Sequence, residues 1–198
     1  MTKPRYLIYL HGFNSSPQSL KAQQVHDFLT ENQPQINLII PELAVNAHEA
    51  LSQIKQIVDN IKSQHQTANI GFVGSSMGGF LATKCSEFYN TKAVLINPAV
   101  APYRLIKHLI GEHTNPYSGK SFSVTEQDGE ELAKLHFDNI ASPNNFWVLL
   151  QEGDETLDYR DALALYQGSR ITLEPLGDHG FVGFNRFLHA IVEFLFEN

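Results

Sequence analysis

Asn69-Ile70-Gly71-Phe72-Val73-Gly74-Ser75-Ser76-Met77-Gly78-Gly79-Phe80 is the stretch on which the reading of this chain turns. Ile70 to Val73 is a short apolar run, the pattern of a strand buried on both faces. Gly74 to Gly79 turn the chain, and Phe80, Leu81, Ala82 and Cys85 follow as the inner face of a helix. Within the turn, Gly74-x-Ser76-x-Gly78 has the spacing of the sharp strand-to-helix elbow that presents a serine hydroxyl. A serine at such a tip is held in strained backbone geometry, so its neighbours must be nearly without side chains. Gly74 and Gly78 provide that space, and Gly79 lets the helix lie close to the sheet. The Met77 N–H and the helix N-terminus then point towards negative charge. Ser76 is therefore a candidate nucleophile. A Gly/Ser-rich turn of this kind also binds phosphate or merely connects, so the rest of the chain must decide.

Working outward, apolar runs and helical periodicities alternate. Tyr6–Leu10, Ile36–Ile40, Ala93–Ile96, Phe146–Leu150 and Arg170–Leu173 read as further strands. Between them, Ser19 to about Glu31, Ala47 to about Lys62, Asp158 to Tyr166 and Phe184 to Phe196 read as helices. This alternation predicts about six mainly parallel strands with helices on both faces. In such sheets the reactive groups gather at the carboxyl ends of the strands. From residue 99 to 145 the alternation breaks. Leu105–Ile110 and Thr125–Leu135 read as helices around a polar stretch, Gly111–Ser123. The expectation is one domain over residues 1–198, with a cap-like insertion at about 99–145 over the active face.

Bulk properties narrow the class. The chain has 198 residues, 42% hydrophobic and 18% charged, which suits a folded core. A net charge of −7 disfavours nucleic acid as a partner, because phosphate binding needs a basic surface. No apolar run is long enough to span a bilayer. Met1-Thr2-Lys3-Pro4-Arg5 leads into the first strand without the layout of a signal peptide. Cys85 is the only cysteine and falls on an apolar helix face. A reduced, cytoplasmic setting is expected.

A serine hydroxyl is a weak nucleophile until a base takes its proton, and the base should titrate near neutrality. Of nine histidines, His179 is best placed. It follows the last strand between Gly177 and Gly180, whereas seven of the others fall on predicted helices or exposed stretches and read as surface or partly packed residues. His108 and His113 are off the same-face spacing and have no cysteine pair or carboxylate cluster beside them, so no metal site is expected. The imidazole needs an acid to fix its tautomer. Asp154 follows the fifth strand directly in a glycine turn, whereas Asp158 stands where the next helix starts and reads as its N-cap. For the oxyanion, the expected donors are the Met77 N–H and the Phe13 N–H, the latter approaching through Gly12. His11 is expected to brace that loop.

These motifs resemble those of the YqiA-type family of small bacterial esterases, within the α/β-hydrolase superfamily. The matching stretches are His11-Gly12-Phe13-Asn14-Ser15-Ser16-Pro17, Gly74–Gly79, Asn97-Pro98-Ala99-Val100, Asn115-Pro116-Tyr117, Gly153–Arg160 and His179–Phe184. They run nearly end to end, and the order Ser76, Asp154, His179 is that of α/β-hydrolases. Met77 stands where leucine is expected, a mild departure because only its backbone is needed. The resemblance implies a compact α/β-hydrolase fold that hydrolyses carboxylic esters, with acyl-CoA thioesters as a second substrate class, and no cofactor. Phe80, Tyr117 and Phe181, with Phe13, are expected to line an apolar acyl pocket, although core packing accounts for such residues equally well. Two alternatives stay open: a thioesterase or acyltransferase with the same residues, and a non-catalytic binding module on the same fold.

Overall fold

The computed structural model describes residues 3–197. Six strands form one parallel sheet: β1 (Arg5–Leu10), β2 (Ile36–Ile39), β3 (Asn69–Ser75), β4 (Ala93–Ile96), β7 (Phe146–Gln151) and β8 (Arg170–Glu174). Their spatial order is β2-β1-β3-β4-β7-β8. The central strands are apolar at nearly every position because both faces are covered. Ile8, Leu10, Phe72, Leu95, Val148 and Leu150 enter one core, while Leu7, Tyr9, Val73, Val94, Trp147 and Leu149 enter the other. The first core is closed by α2 (Ala47–Gln64), α3 (Met77–Tyr89) and α5 (Tyr159–Leu165), and the second by α1 (Leu20–Asn32) and α6 (Leu188–Phe196).

This strand order positions the site. From β1 the chain crosses to β2 on one side, then returns to form β3 on the other. The two loops leaving the adjacent carboxyl ends of β1 and β3 therefore diverge and open a crevice between them. Ser76 follows β3, and Phe13 lies just beyond β1.

The segment between β4 and β7 differs from the sequence reading. The helix expected over 105–110 is two 3-10 turns, Pro102–Arg104 and Ile106–His108. The polar stretch after it is an antiparallel hairpin of β5 (Gly111–Thr114) and β6 (Ser121–Val124), turned by residues 115–119. Asn115 Oδ1 accepts from the Tyr117 and Ser118 amides, and Gly119 takes the left-handed conformation at φ 69°. β5 is polar and mostly exposed, whereas β6 alternates, with Phe122 half-buried and Val124 buried between exposed serines, a run too short to stand out in a polar stretch. The helix expected over 125–135 is α4 (Glu126–Lys134), with Thr125 and Asp128 forming a reciprocal cap. The closing helix expected from residue 184 begins as a 3-10 turn, Phe184–Phe187, and becomes α-helical at Leu188.

Candidate active site

Ser76 sits between β3 and α3 with φ 55° and ψ −120°, a conformation that L-residues adopt only when the surroundings impose it. Its backbone is gripped from β4 and beyond. The Ser76 N–H donates to Ile96 O at 3.0 Å, and Ser76 O accepts from the Ala99 N–H at 3.0 Å. The two elbow glycines are required by close approach. A Cβ on Gly74 would lie 2.2 Å from Gly78 O, and one on Gly78 would lie 2.0 Å from Leu10 O. Neither contact involves a side chain that could move aside, so α3 reaches this depth against the sheet only with glycine at both positions.

The structure brings Ser76, His179 and Asp154 into one hydrogen-bonded chain. His179 Nε2 is 3.0 Å from Ser76 Oγ. His179 Nδ1 is 2.8 Å from Asp154 Oδ2 and 3.0 Å from Oδ1. The imidazole is 25% exposed, while the Asp154 carboxylate is 2% exposed. That burial is offset by hydrogen bonds: Asp154 Oδ1 also accepts from the Thr156 and Leu157 N–H groups, each at 2.8 Å. Asp158 is the N-cap of α5, accepting from the Arg160 amide at 3.0 Å. Its carboxyl lies below the usual range because the Arg160 side chain, and then the Arg160 amide, bond to it.

The loop after β1 lies directly against the elbow, since a Cβ on Gly12 would be 3.3 Å from Ser76 Cβ. Phe13 and Met77 line the same cleft as Ser76, and among the described residues neither backbone N–H donates in a turn, loop or cap hydrogen bond. The buried His11 holds the loop from behind. Its Nδ1 donates to Gly12 O at 2.9 Å, and its Nε2 accepts from the Leu43 N–H at 3.2 Å. Burial lowers the pKa of this imidazole, and the bond pattern is that of the neutral ring.

A cleft of about 270 Å³ opens from Ser76 and His179. Leu105, Ile106, Leu109, Val124 and Leu132 line it from the segment between β4 and β7, and Phe13 and Leu157 line it from the body of the fold. Its polar wall is Asn46 with Asp128 and Glu131; the Asn46 Nδ2 donates to Glu131 Oε2 at 2.9 Å. Burial works against the Asp128 charge, but hydrogen bonds from Thr125 and Asn46 outweigh it and hold the carboxyl below its usual range.

Of the four aromatics expected in an acyl pocket, Phe13 alone lines this cleft. Phe80 is fully buried and stacks on Phe137, with ring centroids 5.5 Å apart. The glycines before it press α3 onto the sheet, so the first large side chain is driven into the core. Phe181 is buried in the opposite core, edge-on to Phe187. Tyr117 is half exposed at the turn of the hairpin. The cleft-lining Leu105, Ile106 and Leu109 fall in the stretch read from the sequence as a helix, with no sign there of a place in the site.

Among the described residues, no helix is long and apolar enough to cross a membrane. Several solved structures share the fold. Est1E from Butyrivibrio proteoclasticus, with ferulic acid bound, aligns at 15% identity over 98% of this chain and 89% of its own, with a TM-score of 0.78. The mouse alpha/beta hydrolase domain-containing protein 10 aligns at 16% identity over 98% and 90%, with a TM-score of 0.75. The Pyrococcus furiosus esterase Pf2001 aligns at 16% identity over 98% and 80%, with a TM-score of 0.67. At these identities the likeness establishes the α/β-hydrolase fold. A family model matches residues 6–196, almost the entire length over which the motifs run. The chain therefore belongs to the uncharacterised protein family UPF0227, the YqiA-type group that its motifs resemble.

Proposed function

We propose that this protein is a serine hydrolase that cleaves carboxylic esters through an acyl-enzyme on Ser76. The observation that carries the reading is the unbroken chain Asp154–His179–Ser76 at hydrogen-bond distances, opening on an apolar cleft. As Ser76 Oγ attacks the acyl carbon, its proton passes to His179 Nε2. Asp154, through Nδ1–H, holds the imidazole in the accepting tautomer and stabilises the imidazolium. The Phe13 and Met77 N–H groups receive the developing oxyanion, where fixed dipoles need no reorganisation. His179 then returns the proton to the leaving alcohol. Water, deprotonated by the same imidazole, releases the acid and restores Ser76.

The acyl group occupies the cleft, and residues 99–145 act as the cap that sets its size. A volume of about 270 Å³ is small for a ligand site, which favours short or compact acyl groups. Est1E holds ferulic acid, an aryl carboxylic acid, so feruloyl esters belong among the substrates tested.

The test is a hydrolysis screen across p-nitrophenyl esters of increasing length, a feruloyl ester and acyl-CoAs, with Ser76→Ala as the blank. Loss of the nucleophile should lower turnover on the order of 10⁴-fold or more. A serine-directed phosphonate should label Ser76 and leave Ser75 and Ser16 unmodified by mass spectrometry. Undiminished turnover in Ser76→Ala would refute the mechanism. A wild-type protein inert across the panel but able to bind acyl compounds would favour the binding-module alternative.

A further inference from the structure

The loop that carries His179 has no strand or helix of its own between β8 and the 3-10 turn at Phe184. Its backbone is contorted, with Leu176 at φ 61°, Gly177 at 80° and Phe181 at 63°. Side chains supply the partners that a ladder would otherwise give. Gln151 Oε1 accepts from the Asp178 and Val182 N–H groups at 3.2 and 2.8 Å. Glu155 accepts from the His179 N–H at 3.0 Å, and Lys21 Nζ donates to Gly180 O at 2.8 Å. The Asp178 and His179 carbonyls are bound by one group, the carboxamide of Asn97, at 3.0 and 3.3 Å.

Asn97 does more than hold this loop. It follows β4 at φ 40° and is 2% exposed. Its own N–H donates to Leu149 O at 2.9 Å, and its Oδ1 accepts from the Gln151 N–H at 3.1 Å. Both bonds fix it to β7, the strand that delivers Asp154. The residue before it, Ile96, accepts from the Ser76 N–H, and Ala99, two residues on, donates to Ser76 O. One short segment therefore touches the serine elbow, the strand of the acid and the loop of the base.

We propose that Asn97 is the positioning residue that sets the mutual register of Ser76, Asp154 and His179. This rests on the triad reading given above. The Asn97 side chain touches no reacting atom. It fixes the height of the His179 loop relative to β7, and hence where Nε2 stands with respect to Ser76 Oγ. Asparagine suits the place on two counts. Its short polar side chain tolerates positive φ, and its carboxamide offers two donors to the loop and one acceptor to β7.

Two variants test this. Asn97→Gly keeps the backbone conformation and deletes the clamp. Asn97→Asp keeps the shape and the acceptor for the Gln151 N–H but replaces the NH₂ donor pair. A misplacement of about 1 Å costs on the order of 10²-fold in rate. Asn97→Gly should therefore lower kcat by about that factor with KM within about threefold, because the cleft is untouched. Asn97→Asp should lose at least about tenfold in kcat with the same KM pattern. In both, the downfield proton NMR signal of the His179–Asp154 hydrogen bond should shift or broaden, which a loss of bulk stability alone would not produce in the folded protein. If Asn97→Gly does not fold, Asn97→Asp carries the test. A folded variant with wild-type kcat and an unchanged downfield signal overturns the positioning role while Ser76→Ala remains inactive. If Ser76→Ala is itself active, the triad reading fails first, and the two outcomes are told apart.

Discussion

Replacing Asp154 by asparagine changes one group at the inner end of the hydrogen-bond chain. Asp154 Oδ1 accepts from two backbone amides, Thr156 and Leu157, so the Asn oxygen is drawn to that side. Its NH₂ then takes the place of Oδ2, 2.8 Å from His179 Nδ1. An NH₂ donates, so Nδ1 must accept, and the ring proton moves to Nε2. Nε2–H now faces Ser76 Oγ across 3.0 Å and cannot take its proton. The geometry survives and the tautomer is wrong. In triads of this design that inversion costs about 10⁴-fold in turnover, or about 5.4 kcal/mol of barrier. Thermal melting should move little, because both amide bonds persist and no charge is added. Asp158→Asn is the matched control: asparagine caps about as well as aspartate, and the exposed Arg160 pair contributes little. It should retain most activity, and Asp158→Ala should cost about 1 kcal/mol of stability with little effect on chemistry. Steady-state kinetics and melts on the three variants read all of this together. Activity in Asp154→Asn within tenfold of the wild type, or an inactive Asp158→Asn, would refute the assignment of the acid.

Two further outcomes follow from the same geometry. Leu109→Trp should narrow the cleft and depress rates on longer acyl chains relative to short ones by on the order of tenfold, whereas Tyr117→Ala at the exposed hairpin turn should leave the chain-length profile unchanged; the reverse pattern would place the acyl group elsewhere. His11 makes stability fall at acid pH. Burial sets its folded pKa below the ordinary value, so between that folded pKa and about 6.5 the unfolded chain binds more protons and stability rises with pH. The contribution is fully present above about 6.5 and is lost as the pH falls through the folded pKa. A proton on Nε2 would also confront the Leu43 N–H that it now accepts. Melting from about pH 8 to 5 should therefore show a steeper acid loss for the wild type than for His11→Gln, and parallel curves would remove His11 as the cause.

Much of this was legible in the sequence, for identifiable reasons. A strand buried on both faces must be apolar throughout, so β1, β3, β4 and β7 declare themselves within a residue or two of their ends. The elbow is legible because backbone contacts near 2 Å leave no residue but glycine at positions 74 and 78. Asp154 and Asp158 were separable because one follows a strand and the other precedes a helical periodicity. Burial direction past an element's end was not legible. Phe80 and Phe181 lie close in sequence to Ser76 and His179, yet each enters a different core. The β5–β6 hairpin was missed because β5 is polar and exposed and the alternation of β6, Ser121 to Val124, is only four residues long. Asn97 stood out in the sequence only as the first residue of the Asn97-Pro98-Ala99-Val100 motif after the strand at Ala93–Ile96. Its partners lie 54 and 81 positions away, a relation that no local pattern encodes.

The distribution of unusual backbone explains why the sheet has to be so well packed. Among the described residues, six non-glycine residues have positive φ: Asn14, Ser76, Asn90, Asn97, Leu176 and Phe181. Asn90 is the exposed C-cap of helix α3, where its N–H donates to Ser86 O and its Oδ1 accepts from Asn145 Nδ2 at 2.8 Å. The other five lie past the carboxyl ends of β1, β3, β4 and β8, the edge where Ser76, Asp154 and His179 meet. Conformations of this kind cost on the order of 1–3 kcal/mol each and persist only where the surroundings over-determine them. Asparagine reduces that cost at positions 14 and 97, because its short polar side chain tolerates the region. Ser76, Leu176 and Phe181 have no such relief, and they fall in the two loops that carry Ser76 and His179. Both loops are anchored against the strain, Ser76 by backbone bonds to Ile96 and Ala99, and the His179 loop by Asn97, Gln151 and the buried Phe181 ring. The same anchors hold Nε2 within bonding distance of Oγ. The two cores on either side of the sheet therefore hold Ser76 and His179 in register: they keep two strained loops at a separation that neither would hold alone.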